Sequence, residues 1–220
     1  ISGSIEWFRS LPLWLELEDE SGSPLRVAHA AWDDQQIQLI SDHLEKHDGV
    51  TTGFLAEASR EGSRLYEAVE CVLKGPELPL PAGDLIPDKD GHDRADIRIQ
   101  WYREPEYDKE TYSQYALPPL KSGSDKITRQ DYEEKVCSCR PYPGDAPPLF
   151  IGHYWLRGEP KVLTQSLFPP NIACVDYSIA DLNAEKKERR LCAYSWNGEQ
   201  RLKPENFTCI PLLQRVTNES

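Results

Sequence analysis

The sequence predicts a mixed α/β (α+β) chain, and three stretches carry that expectation. Leu11, Leu13, Leu15 and Leu17 alternate with Pro12, Trp14 and Glu16, the period of a strand with one buried face. Ile37, Ile40 and Leu44 recur at i, i+3 and i+7, the period of a helix. Leu149, Phe150, Ile151 and Gly152 form a short apolar run ending at His153, as when a buried strand delivers an imidazole to a sheet edge.

Taken in order, the strand pattern covers Ile5 to Leu17. A polar turn from Glu18 to Pro24 follows, and Leu25 to Ala30 returns as a second strand carrying His29, so the two read as a hairpin. Asp33 caps the helix, Gly49 ends it, and His43 and His47 lie on it four residues apart. Without an H-E-x-x-H sequence these histidines read as part of a solvated helix face. A second helical region spans about Thr52 to Leu73, with Leu65, Val69 and Leu73 in phase and Gly75-Pro76 as its stop.

Asp88 to Arg94 is a dense run of charge that opens a strand in which Ile97, Ile99 and Trp101 alternate with Arg98 and Gln100. Its aspartates and central glycine lack the full ligand set of a twelve-residue calcium loop. Residues 103–147 are polar and rich in tyrosine and proline, and predict a loop-rich excursion over the surface with a short helix near Thr128 to Val136. After His153, a turn at Arg157 to Pro160 leads to a strand over Asn171 to Ser178. Leu191 to Trp196, Asn197-Gly198 and Glu199 to Leu202 predict a β-hairpin closed by a type I′ turn. The charged run Ala184 to Arg190 predicts a solvated loop.

The formal net charge is −12 and the pI about 4.9, which argues against a nucleic-acid partner. No apolar run is long enough to span a membrane and the N-terminus carries no signal pattern, so a cytoplasmic protein is expected. Six cysteines are too dilute for a disulfide framework. Cys71, Cys174, Cys192 and Cys209 read as buried thiols, and Cys137-Ser138-Cys139 has no second pair at zinc-site spacing. A chain that opens on Ile1 and contains no methionine is expected to be a fragment or a processed product.

Seven stretches in one order, LPLWLEL, RVAHAAWD, VLKGPELPLPAG, DKDGHDRADIRIQWY, LFIGHYWLRGEP, ACVDYS and LCAYSWNGEQRL, cover about Ile5 to Phe207. Together they resemble the C-terminal half of bacterial calcineurin-like metallophosphoesterases, near the serine/threonine phosphatases and diadenosine tetraphosphatases. The resemblance implies part of a β-sandwich of two mixed sheets flanked by helices, with residues 1–220 forming the C-terminal part of one domain. It implies a pair of divalent metals, manganese, iron, zinc or nickel, with His29 and His153 as ligands on one of them.

By the same resemblance, Arg94, with Lys89 and His92 beside it, contacts the substrate phosphate; Asp176 reads as a structural, supporting carboxylate on a strand that bonds backbone or a histidine. The implied activity is hydrolysis of a phosphoester or phosphoanhydride, with a phosphorylated substrate as partner, whether protein phosphoserine, a dinucleoside polyphosphate or a small phosphoester. The family's G-D-x-x-D-R-G and G-N-H-E ligand motifs do not occur in these residues, so the N-terminal half of the same protein is the implied macromolecular partner and the isolated chain is expected to be inactive. The alternative is a non-catalytic module that serves partner binding.

Overall fold

The computed structural model describes residues 2–87, 92–120, 125–135, 140–181, 185 and 188–212. They form a mixed α/β fold with seven α-helices among the described residues, one four-stranded sheet, one three-stranded sheet and two two-stranded ribbons. The chain divides into two compact units, Ile1–Leu15 with Ala28–Pro143, and Glu16–Val27 with Gly144–Ser220. Among the described residues no helix is long and apolar enough to cross a membrane.

The first unit opens with α1 (Ser2–Ser10), where the sequence predicts strand. A short apolar run fits either period, and here Ile5, Trp7 and Phe8 are exposed on a helix tied down by the Arg9 side chain, which donates to the Val50 carbonyl at 2.5 Å. Of the predicted strand only its end from Trp14 to Leu17 is extended, as part of β1 (Trp14–Glu18). β1 neighbours β2 (Pro24–Ala28), as the expected hairpin requires. The Asp19 carboxylate closes the turn between them by accepting from the backbone N–H groups of Ser21 and Ser23, both at 2.8 Å.

α2 (Asp34–His47) starts where Asp33 caps it, the carboxylate accepting from Gln35 and Gln36, and stops at Asp48 in the left-handed conformation. The second helical region is two helices, α3 (Thr52–Ala58) and α4 (Arg64–Lys74), each with a hydroxyl cap from Thr51 or Ser63. Ile40, Phe54, Leu65, Ala68 and Val72 bury one apolar cluster among the three, with Trp14 and Ile37 packed on it. β3 (Glu77–Pro79), β4 (Ile86–Pro87), β5 (Asp93–Arg94) and β6 (Asp96–Arg98) form two short antiparallel ribbons, β3 with β6 and β4 with β5.

The expected excursion contains α5 (Tyr112–Tyr115) and α6 (Arg129–Lys135), the latter where a short helix is predicted. Much of it is interior: Tyr112, Tyr115 and Ile127 are fully buried. The Tyr115 hydroxyl donates to the Arg103 carbonyl at 2.7 Å, and Arg103 grips the Glu110 carboxylate through two nitrogens. Tyr115 and Arg103 thus satisfy their polar ends inside this segment, which is how part of a polar-looking stretch becomes core.

The second unit is built on β7 (Leu149–Ile151), which lies parallel to β2 on one side and to β8 (Ile172–Cys174) on the other. All six residues of β7 and β8 are buried, as in parallel strands covered on both faces. α7 (Pro160–Ser166), a helix the sequence reading omits, packs on β8. β9 (Asp176–Tyr177), β10 (Arg190–Tyr194) and β11 (Phe207–Pro211) complete the three-stranded sheet.

The predicted hairpin after Asn197-Gly198 does not form. Gly198 has the expected positive φ of 84°, yet β10 pairs antiparallel with β11, Cys192 opposite Cys209 and Tyr194 opposite Phe207. Residues 199–202 are taken out of pairing by Glu199, whose carboxylate accepts from the Asn197 N–H at 2.8 Å, the Tyr194 hydroxyl at 2.5 Å and the Asn206 amide at 2.7 Å. Phe207-Thr208-Cys209-Ile210 is also better strand material than Glu199-Gln200-Arg201.

Candidate functional site

The turn after β7 carries two non-glycine residues with positive φ, His153 and Trp155. The Tyr154 N–H donates to the Gly152 carbonyl at 2.8 Å around His153, whose φ is 69°. An i to i+2 bond about a positive-φ residue is the rare, strained form of the γ-turn. Trp155 at φ 49° and Ser178 at 57° are also left-handed. Non-glycine residues in this region cost about 1–3 kcal/mol each and persist only where the surroundings over-determine them.

The surroundings do so here. Asp176 accepts the Trp155 N–H at 3.3 Å on its carboxylate, and its backbone carbonyl accepts the Leu156 N–H at 3.0 Å. The Ser178 hydroxyl bridges the Trp155 and Leu156 carbonyls at 2.6 and 3.0 Å. Val175 donates to the Ile151 carbonyl at 2.9 Å. Asp176 therefore acts on backbone, the supporting carboxylate that the sequence expects. His153 is half-buried, its ring edge-on to Tyr154.

His29 follows β2 directly and is exposed, while Ala28, Ala30 and Ala31 around it are buried. The N–H groups of Ala30 and Ala31 both donate to the Val72 carbonyl in the last turn of α4, at 3.1 and 3.2 Å, satisfying a helix-end acceptor. Asp33, 5% exposed, caps α2 and accepts the Arg140 N–H at 3.4 Å. The His29 segment is thus fixed within the first unit. His29 follows the carboxyl end of β2, and His153 lies two residues beyond the carboxyl end of β7.

Of the residues expected to meet phosphate, Lys89 lies outside the described residues, as does the Cys137-Ser138-Cys139 segment. Arg94 is the last residue of β5, in register with Ile86, and it and His92 are exposed.

His43 and His47 correct the sequence reading. Instead of a solvated face they are half-buried and converge on Glu57 of α3. His47 Nε2 lies 2.8 Å from Glu57 Oε2, His43 Nδ1 lies 3.4 Å from Oε1, and Lys46 Nζ lies 3.3 Å from Oε2. The hydrogen bond from His47, aided by Lys46 and His43, holds the Glu57 carboxyl down to about 2 against the opposing effect of burial. An i, i+4 histidine pair is visible in sequence, but its third donor is not, because it stands on the next helix beyond the Asp48-Gly49 turn.

Among the described residues four cysteines are free thiols, Cys174 buried and Cys71, Cys192 and Cys209 half-buried; burial pushes the Cys174 thiol up to about 12. Compared with known proteins, this chain matches no protein-family model, no curated protein and no solved structure.

Proposed function

We propose that this chain is part of a cytoplasmic metal-dependent phosphoesterase, its four-stranded sheet belonging to a two-sheet sandwich and its strand-end histidines, His29 and His153, serving as metal ligands. The observation that carries this reading is the braced, left-handed turn at His153. Strain held in place by several hydrogen bonds at a strand's carboxyl end is what a fixed ligand mount requires.

Imidazole suits manganese, iron, zinc or nickel. Two imidazoles fit one side of a dinuclear centre and lack its bridging carboxylate, which the family resemblance assigns to the N-terminal half of the protein. When bound, such metals supply a hydroxide nucleophile and a clamp on the phosphate oxygens. The chain's own residues hold the imidazoles in place, with Asp176 and Ser178 fixing the backbone that carries His153. Arg94, Lys89 and His92 supply cationic or hydrogen-bonding contact to the substrate phosphate.

The test is hydrolysis of an aryl phosphate with added manganese by the longest open reading frame that contains this chain. His153→Ala is expected to lower turnover on the order of a hundredfold or more, the scale on which metal sites respond to lost supporting groups. Wild-type turnover in that variant overturns the assignment.

A second reading, a non-catalytic module for partner contact, draws on the apolar side chains left exposed at α1 and β1: Ile5, Trp7, Phe8, Leu15 and Leu17. It falls if the 220-residue chain alone holds stoichiometric metal and cleaves the aryl phosphate.

A further inference from the structure

The geometry points to a second, separate metal site: His43, His47 and Glu57 bind one zinc-like divalent transition-metal ion that clips the end of α2 to α3. Histidines four apart on α2 lie on one helix face. Glu57 reaches them from α3 because the Asp48-Gly49 turn folds the chain back within a few residues, Asp48 at φ 56° and Gly49 at φ 96°. One donor atom from each residue lies within 4.8 Å of the other two. Tetrahedral donors at bond lengths of about 2.0–2.2 Å stand roughly 3.3 Å apart, so closure needs only side-chain adjustment.

Three features favour a metal over a plain ion-pair cluster. His43 Nδ1 is buried and makes no hydrogen bond, although Glu57 Oε1 is 3.4 Å away, so a lone pair or proton there lacks a well-aligned partner. The site lies at the C-terminal end of α2, where the helix dipole favours a cation. Gly53 gives α3 the room to approach: a Cβ there would stand 3.1 Å from His47 Nδ1. Lys46, the competing cation, has a side chain 61% exposed and free to swing into water.

Two imidazoles and a carboxylate select zinc, cobalt or nickel over magnesium or calcium, which prefer all-oxygen shells. Three protein ligands leave a fourth position for water. This site shares no residue with the phosphoesterase reading and stands if that reading fails.

The test titrates the metal-stripped 220-residue chain with cobalt and with zinc, reading cobalt visible absorption and calorimetric stoichiometry. Expected are one equivalent with a tetrahedral cobalt spectrum, retained in a His29→Ala/His153→Ala double variant. His43→Gln, His47→Gln and Glu57→Gln are each expected to weaken affinity on the order of a hundredfold. Gly53→Ala, which removes no ligand, is expected to weaken it severalfold with the circular dichroism spectrum unchanged. Zinc also raises the melting temperature of the wild type and not of Glu57→Gln, as mass action requires. Wild-type affinity in His47→Gln and Glu57→Gln, or loss of the equivalent only in the double variant, overturns the proposal. If a ligand variant fails to fold, unchanged affinity in Gly53→Ala overturns it.

Discussion

The histidines at the end of β7 and those on α2 are held by opposite means. His153 sits in a left-handed turn whose conformation is imposed by Asp176, Ser178 and the buried strands behind it. His43 and His47 sit in relaxed helix and meet Glu57 through side chains alone. The first arrangement fixes a ligand by spending backbone energy, the second by helical periodicity and a tight interhelical turn. Substitutions should therefore separate them: changes at the strained turn alter stability, while changes at the helical corner alter ion binding and pH response.

The largest stability effect is expected from Ser178→Ala. It removes the hydroxyl that bridges the Trp155 and Leu156 carbonyls and should cost about 1–3 kcal/mol in urea unfolding. A loss well below that range means the turn is determined elsewhere, and the contrast with the helical corner weakens. His153→Gly should do the reverse. Glycine tolerates a φ of 69°, so relief of strain outweighs its added unfolded-state entropy and stability should rise by about 1 kcal/mol, visible as a higher melting temperature. A fall in melting temperature would mean that the ring's packing outweighs the strain.

At the helical corner the expected signature is a pH dependence. Glu57 has its folded value lowered to about 2 from an ordinary 4.5, so between these values the unfolded state binds more protons. Its contribution is complete above about pH 5 and is lost as pH falls toward about 2. Melts of the wild type and Glu57→Gln across that window should converge at the acid end. Lys46→Ala should have the smallest effect, under about 1 kcal/mol for so exposed an ion pair, while tightening zinc binding severalfold by removing a competing cation.

The elements legible in sequence were those whose local signals agreed with their packing. Asp33 starts α2, Gly75 ends α4, and the apolar run of β7 ends at its histidine. Where tertiary contacts overrode the local signal, the sequence misled. Asn197-Gly198 carries the letters of a hairpin, but the Glu199 carboxylate engages Tyr194, Asn197 and Asn206 and leaves β10 to β11. Tyr115 and Tyr132, between Arg103 and Pro148, read as part of a loop-rich excursion in sequence, while in the structure their buried rings are paired through their hydroxyls. For the sites, the position of His153 was readable and its backbone strain was not. The pair His43 and His47 was visible, while Glu57 required the folding back of α3.

The pairing of β2 with β7 also orders events in time. Arg26 lies opposite Leu149 and Val27 opposite Phe150, with most of the chain closed into a loop between them. The cluster around Ile40, Phe54 and Leu65 joins helices adjacent in sequence. Closing long loops is slow and local helix pairing is fast, so α2, α3 and α4 are expected to assemble during refolding well before the sheet. The turn at His153 is braced by Val175, Asp176 and Ser178, so its left-handed conformation is expected to follow the pairing of β7 with β8. The helical histidine corner should therefore mature early in refolding, and the strand-end histidine last.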